Sequence, residues 1–235
     1  MVLIIHKKTP KQMIKRLKTM GHMVIPSMTC PGLSAVVAEH PDMQIHSLRK
    51  DLAMVPSTCY AYYREKLPVS IELIAGDKNL GGTYPEDCAY NVAKVGNLLF
   101  CNTRCVDPKL LAFYQGERFQ IIHTNQGYTK CNMTIFGKDL IITEDLGIHN
   151  NIIANKLPIQ SILIPVGEVS LSGFPHGFIG GAGGGMEEVL FWYGNPRHCT
   201  YFETLKIEAE QRGIQNIALS QEKLCDLGGI ICFSS

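Results

Sequence analysis

Three features are scarce or absent in this sequence of 235 residues, and each excludes a class of protein. No run of 18 apolar residues occurs, so the sequence predicts no membrane-spanning helix. Charged residues make up 18% of the chain, and 22 basic residues against 21 acidic ones leave a net charge of +1. A nucleic-acid-binding surface normally requires a basic excess, so we expect neither a nucleic-acid partner nor a membrane partner.

Paired cysteines with metal-ligand spacing are also missing. The nine cysteines are an odd number, and the closest pair, Cys101 and Cys105, has no second pair to complete a zinc site. We therefore expect no metal and no cofactor. The apolar start is five residues long and is followed by Lys7 and Lys8, unlike a secretory signal. Reduced thiols and a cytoplasmic location are the corresponding expectations.

A unit of strand, strand, helix and strand recurs five times along the chain. One apolar position marks the middle strand of each unit: Leu3, Leu52, Leu98, Leu140 and Val189, separated by 49, 46, 42 and 49 residues. The predicted helices cover 10–20, 58–66, 108–114, 147–156 and 198–212. The strands predicted to come first in the units, and to face a central axis, cover 43–45, 89–95, 131–136, 177–180 and 229–233. A period of this length indicates a propeller, a solenoid or an array.

The two ends of the chain complete one unit between them. The strand at 229–233 has no partner nearby in sequence, and the strand at 1–7 is the one left free to pair with it. Counting from Val189 through the C-terminus to Leu3 closes the circle with a further 49 residues. We therefore predict one α/β domain over residues 1–235, closed as a ring by its terminal strands. An ordinary α/β sandwich with coincidental spacing is the alternative.

Two motifs within this repeat pattern resemble a known superfamily. Gly228-Gly229-Ile230-Ile231-Cys232 resembles the glycine pair and nucleophilic cysteine near the C-terminus of pentein deiminases, the guanidino-group-modifying enzymes. His176, in the preceding repeat, stands where these enzymes carry their catalytic histidine. The resemblance implies a five-bladed pseudo-symmetric α/β propeller, with Cys232 as nucleophile and His176 as acid and base.

The sequence departs from the pentein pattern at the carboxylates that hold the guanidinium group. The family usually has Asp two residues after its histidine, where this chain has Phe178. An Arg-Asp pair is replaced by Tyr90-Asn91, and a Glu expected near 127–131 is missing. The carboxylates that hold a cationic substrate would then have to come from Asp42, Asp87 or Asp226.

Four further residues are candidates for binding a small molecule in the central pore: His40, Asp42, Asn91 and Cys131. All stand at or beside a strand predicted to face the axis, where equivalent positions of the repeats converge. His40 and Asp42 can face the same side of an extended segment as an acid/base pair. The competing interpretations are a Pro-Asp turn at this segment and a buried core role for Cys232.

Two functions remain open from the sequence. The first is a cysteine-dependent hydrolase or transferase that acts on a small guanidine- or amidine-like substrate in the pore, with Cys232 attacking the central carbon and His176 protonating the leaving amine. The second is a non-catalytic binding or assembly protein that keeps the ring but has lost the guanidinium-binding carboxylates.

Overall fold

Five three-stranded sheets, each with an antiparallel inner strand and a parallel outer strand beside a middle strand, make up the fold. The computed structural model describes residues 1–186 and 188–234. The middle strands are β1 (Val2–Ile5), β4 (Leu52–Val55), β7 (Leu98–Cys101), β10 (Leu140–Thr143) and β13 (Val189–Trp192). The inner strands are β3 (His46–Arg49), β6 (Ala93–Val95), β9 (Met133–Phe136), β12 (Gly183–Met186) and β15 (Ile231–Phe233). The outer strands are β2 (Met23–Pro26), β5 (Glu72–Ala75), β8 (Gln120–His123), β11 (Gln160–Leu163) and β14 (Gln215–Ala218).

A helix connects the middle strand to the outer strand in every sheet, as a parallel pair requires. These helices are α1 (Lys11–Thr19), α3 (Ser57–Lys66), α4 (Pro108–Gly116), α5 (Leu146–Ala154) and α6 (Phe202–Gln211). Aspartates cap two of them: Asp107 accepts a hydrogen bond from Leu110 N, and Asp145 accepts one from Ile148 N. The last helix begins later than predicted, because a separate 3-10 turn occupies Pro196–His198.

The terminal strands close the ring as the sequence predicts. β15 pairs antiparallel with β1, and Leu3 lies opposite Cys232 in this ladder. Gly228 and Gly229 turn the chain into β15 with φ values of +72° and +68°, which residues with a side chain rarely adopt. The five-bladed α/β propeller is therefore confirmed. Among the described residues, no helix combines the length and the apolarity needed to cross a bilayer.

Two of the inner strands lie later in the sequence than predicted. Residues 43–45 fall largely in a short helix, α2 (Pro41–Gln44), and the strand follows at β3. Pro41 starts this helix well because its fixed φ suits the first helical position. Residues 177–180 lead into a 3-10 turn, Ile179–Gly181, and the strand forms from the glycines of β12 instead.

Glycine is required in β12 because the backbone of the neighbouring repeat approaches it closely. A Cβ atom on Gly184 would lie 2.1 Å from the carbonyl oxygen of Ile230. This close approach outweighs the weak strand propensity of glycine and places β12 beside β15 at the centre of the ring.

Candidate functional site

The segments that precede the five inner strands meet in one cavity of about 240 Å³. We call it the five-segment cavity. Each segment contributes at least one side chain, in chain order: Ser34, Val37, His40 and Met43; Asp87; Tyr128 and Cys131; Leu171, Phe174, Pro175, His176 and Phe178; and Asp226. The cavity therefore combines an apolar wall with two carboxylates, two imidazoles and a thiol.

Asp226 is held in place by backbone donors. Its Oδ1 accepts a hydrogen bond from Gly228 N, and its Oδ2 accepts one from Phe178 N, both at 2.9 Å. Burial raises the pKa of this carboxyl above its usual value. The nearest basic group is His40, whose Nδ1 lies 3.8 Å from Asp226 Oδ1. Burial also lowers the pKa of His40 to about 4, so the imidazole is neutral at pH 7 and the contact is not an ion pair.

The two carboxylate oxygens of Asp87 differ in their hydrogen bonding. Its Oδ2 accepts a 2.7 Å hydrogen bond from the hydroxyl of Tyr128. No donor among the described residues contacts the buried Oδ1. A buried carboxylate oxygen without a donor is costly, and a cationic ligand in the cavity would relieve that cost.

Cys131 lines the five-segment cavity and is hydrogen-bonded to Asp42 and Asn91, neither of which lines that cavity. The thiol of Cys131 donates to Asp42 Oδ2 at 3.1 Å, and Asn91 Nδ2 donates to the same sulfur at 3.0 Å. Asn91 Oδ1 in turn accepts from the backbone N–H groups of Lys130 and Cys131. The structure thus brings together three of the residues that the sequence nominated from separate repeats.

The surroundings of Asp42 and Cys131 raise the pKa of both groups. Burial raises the pKa of Asp42 to about 7, and the positive charge of Lys130 opposes part of that rise. Burial, followed by the charge of Asp42, raises the pKa of Cys131 well above its ordinary value. The thiol is therefore protonated in the free protein, and Asp42 can exchange a proton near neutral pH.

A second cavity of about 410 Å³ lies further along the inner strands. In each inner strand, the residue that pairs with the second residue of the middle strand lines this cavity. These five residues are Ser47, Lys94, Ile135, Gly185 and Cys232. Asp42 also lines this second cavity, whereas its hydrogen-bond partner Cys131 lines the first. The contact between these two residues therefore lies between the cavities.

The two residues nominated by the pentein resemblance lie in different cavities. His176 is half-buried and lines the five-segment cavity, with its ring 6.1 Å from that of Phe178. Cys232 lines the second cavity and packs in the core with Leu3 and Phe191. Burial raises the pKa of Cys232 to about 12, so its thiol is protonated at pH 7.

Sequence reasoning missed Tyr128 and Glu144, and it named Asp87 and Asp226 only as possible replacements for the missing guanidinium-binding carboxylates. Glu144 directly follows β10 and accepts a hydrogen bond from Ile179 N at 2.9 Å, next to the cavity. Burial raises the pKa of Glu144 to about 7. The available signal was positional: Asp87, Tyr128 and Asp226 all stand a few residues before an inner strand, as His40 and His176 do.

Comparisons with solved structures agree with the ring architecture. A DDAH from Pseudomonas aeruginosa, a mutant in complex with citrulline, superposes with a TM-score of 0.55 over 94% of this chain and 92% of its own, at 10% identity. SxtG, an amidinotransferase of the saxitoxin biosynthetic pathway from Microseira wollei, gives 0.55 over 93% and 88% at 11% identity. A dimethylarginine dimethylaminohydrolase adduct with 4-chloro-2-hydroxymethylpyridine gives 0.52 over 94% and 92% at 13% identity.

At the level of sequence, no curated protein matches the chain significantly. One family profile, described as "Family of unknown function (DUF6873)", matches residues 4–231. The solved structures have the five-bladed pentein architecture, and their low identity limits the likeness to the fold. The chain therefore belongs to the family DUF6873 and has the fold of the pentein superfamily.

Proposed function

We propose that the protein is a cysteine-dependent enzyme that acts on a small guanidine or amidine in the five-segment cavity. The observation that carries this proposal is the meeting of two buried carboxylates, Asp87 and Asp226, with a thiol that is hydrogen-bonded to a third, Asp42. Solved proteins of this fold include an amidinotransferase and a dimethylarginine dimethylaminohydrolase, which supports the same substrate class.

A planar cation suits the cavity on both charge and shape. Asp87 Oδ1 has no donor among the described residues, and Asp226 supplies a second buried carboxylate. The side chains of Val37, Leu171 and Phe178 provide apolar surface for the faces of an amidine group. Because both carboxylates are buried, their attraction for a cation is stronger than at an exposed surface.

In this proposal Cys131 is the nucleophile and Asp42 is its base. Asp42 Oδ2 lies 3.1 Å from the sulfur and has a pKa of about 7, which suits a general base near neutral pH. A bound cation lowers the thiol pKa, because an opposite charge nearby favours the thiolate. The thiol proton moves to Asp42, and the sulfur forms a bond to the central carbon of the substrate.

His176 completes the reaction from the same cavity. As the tetrahedral adduct collapses, the carbon–nitrogen bond breaks and His176, acting as general acid, gives a proton to the departing amine. The amidino group then remains on the sulfur of Cys131. Attack by water releases it and restores the thiol, whereas attack by an amine transfers it to a second substrate.

Cys232, the nucleophile implied by the resemblance, faces a different electrostatic environment. The cavity it lines contains Lys50, Lys94, Lys130 and Lys138, and four positive charges repel a guanidinium ion. His176 lines the other cavity, so Cys232 lacks that partner. For these reasons we assign the thiol chemistry to Cys131 and use Cys232 as the matched comparison.

Two reagents of nearly equal size test this assignment. Chloroacetamidine is a cation, chloroacetamide is neutral, and each alkylates a thiol with loss of chloride. With rates normalised to free cysteine, we expect the cation to prefer Cys131 about tenfold or more, and Asp87→Asn to abolish the preference. Peptide mapping of wild type, Cys131→Ser and Cys232→Ser identifies the modified residue.

The outcomes separate the candidate functions. Preferred labelling of Cys232 by the cation would overturn the assignment to Cys131. Turnover is measured by mass spectrometry with methylguanidine, agmatine, arginine and acetamidine. A guanidine that raises the melting temperature without turnover or labelling would favour the non-catalytic binding protein, and no effect of any of the four would reject the substrate class.

A further inference from the structure

Four lysines line the second cavity described above, which we call the lysine cavity. Lys94 and Lys130 are half-buried, whereas Lys50 and Lys138 are exposed at its edge. This concentration of positive charge contrasts with the whole chain, whose net charge is +1. The side chains come from three different repeats, so the fold and not a local charged run brings them together.

These lysines have little compensation from the protein. In residues 1–186 and 188–234, none of the four has a carboxylate within 4.0 Å. The one described carboxylate that lines the cavity is Asp42, and it already accepts the thiol proton of Cys131. Lys94 Nζ donates to Leu48 O and Lys130 Nζ donates to Gly180 O, which leaves further N–H groups of both ammonium groups for another acceptor.

The half-buried position of Lys94 adds to this argument. Burial lowers the pKa of its ammonium group, so keeping the charge costs free energy in the absence of an anion. The neighbouring imidazole of His46 contributes no positive charge at pH 7, because burial, together with Lys94 and Lys130, lowers its pKa to about 3. The positive charges that face a ligand are therefore those of the lysines.

The rest of the lining is mostly apolar. Ile45, Val92, Ile135, Ile230 and Ile231 line it, together with Met186. A bare inorganic ion would leave these side chains uncovered. The volume of about 410 Å³ instead falls in the range typical of sites for small organic molecules.

From this arrangement we infer that the lysine cavity is a second binding site, for a small organic anion with an apolar body and a doubly charged oxyanion group such as a phosphate monoester. The apolar body packs against the isoleucines, and the oxyanion accepts hydrogen bonds from Lys94 and the lysines at the edge. Its ligand is distinct from the substrate proposed at Cys131, because it has the opposite charge and enters the other cavity.

Calorimetric titration of the full chain with 1-naphthyl phosphate tests the inference. This probe combines both features of the ligand, and 1-naphthol and inorganic phosphate each lack one of them. We expect 1-naphthyl phosphate to bind at least about tenfold more tightly than either, and more weakly as salt is raised from 20 to 150 mM. Equal binding of 1-naphthol, or no binding of 1-naphthyl phosphate, would overturn the inference.

Lysine variants locate the binding. Lys94→Gln and Lys138→Gln should each weaken 1-naphthyl phosphate about tenfold, the scale of one charged hydrogen bond, whereas Lys15→Gln on the exposed face of α1 should not. Lys138 is exposed, so its variant keeps the test valid if Lys94→Gln unfolds. Unchanged affinity in Lys138→Gln and in any folded Lys94→Gln would place the ligand elsewhere and reject the site.

Discussion

Asp42→Asn removes the titrating carboxyl that lies between the two cavities, and the structure predicts how this changes stability with pH. Burial raises the pKa of Asp42 from 3.8 to about 7, so the folded protein holds this proton more tightly than the unfolded chain. The stabilisation is complete below the unfolded pKa and is lost as pH rises through the folded pKa. At about 1.4 kcal/mol per pH unit, the loss amounts to roughly 3 kcal/mol between pH 4.5 and 8.

Buried histidines act in the opposite direction over part of this range. Burial lowers the pKa of His6 and His40 to about 4 and that of His46 to about 3, so these groups stabilise the fold as pH rises towards 6.5. The pH profile of the wild type is therefore a sum of opposing contributions. The difference between wild type and Asp42→Asn cancels the histidines and leaves the contribution of Asp42.

Urea unfolding followed by circular dichroism at pH 4.5, 6 and 8 measures this difference. We expect the stability of Asp42→Asn relative to wild type to rise by roughly 3 kcal/mol from pH 4.5 to 8. Asp51→Asn, at an exposed position, is the control and should leave the two profiles parallel. Parallel profiles for Asp42→Asn would show that Asp42 titrates normally, and its proposed role as a base near neutral pH would be refuted.

Two other perturbations test the ring and its thiols. Phe233→Ala in the closing strand β15 should cost about 3–5 kcal/mol of unfolding free energy in urea, because the phenyl side chain is fully buried. The control Ser234→Ala should change it by no more than about 0.5 kcal/mol. A loss below about 1 kcal/mol in Phe233→Ala would contradict closure of the propeller by β15. The sulfurs of Cys88 and Cys105 lie 2.8 Å apart. Diamide should therefore oxidise the two thiols to a disulfide and take up their two hydrogens. Peptide mapping should find that link, and both thiols remaining free would contradict the pairing.

The ring could be predicted from sequence because its determinants are local and repeated. The middle strands are short apolar runs whose side chains are almost all buried, and such runs stand out in a chain with 18% charged residues. The spacing between them is nearly constant. The strand predicted at 1–7 was the one still free to pair with the terminal strand at 229–233. Pairing of Leu3 with Cys232 confirms that inference.

The inner strands were harder to predict because tertiary contacts, more than propensity, determine them. The apolar residues Met43 and Ile45 suggested a strand, but Pro41 favours a helical turn and the strand follows at His46–Arg49. Glycines normally weaken strands, yet Gly184 pairs in β12 because the backbone at Ile230 leaves no room for a side chain. Contacts between distant repeats cannot be seen in a local pattern.

The candidate residues were chosen by one criterion, nearness to an inner strand, but they occupy two levels of the ring. His40, Cys131 and His176 precede their inner strands and line the five-segment cavity. Cys232 lies within its strand, at the level of Lys94, and lines the lysine cavity. A register error of a few residues in an inner strand moves a side chain from one level to the other, so the sequence alone could not separate the cavities.

The charged groups at the two cavities indicate whether the propeller has only a structural role. A purely structural pore would be filled by apolar side chains, since a buried charge costs free energy unless it is paired. Here burial raises the pKa of Asp226 in the five-segment cavity, of Glu144 beside it and of Asp42 between the cavities, and it lowers the pKa of Lys94 in the lysine cavity. Titratable groups perturbed in this way and gathered at cavities are typical of functional sites. Because Asp87 and Asp226 line the five-segment cavity and the four lysines line the other, a cation would be favoured in the first cavity and an anion in the second.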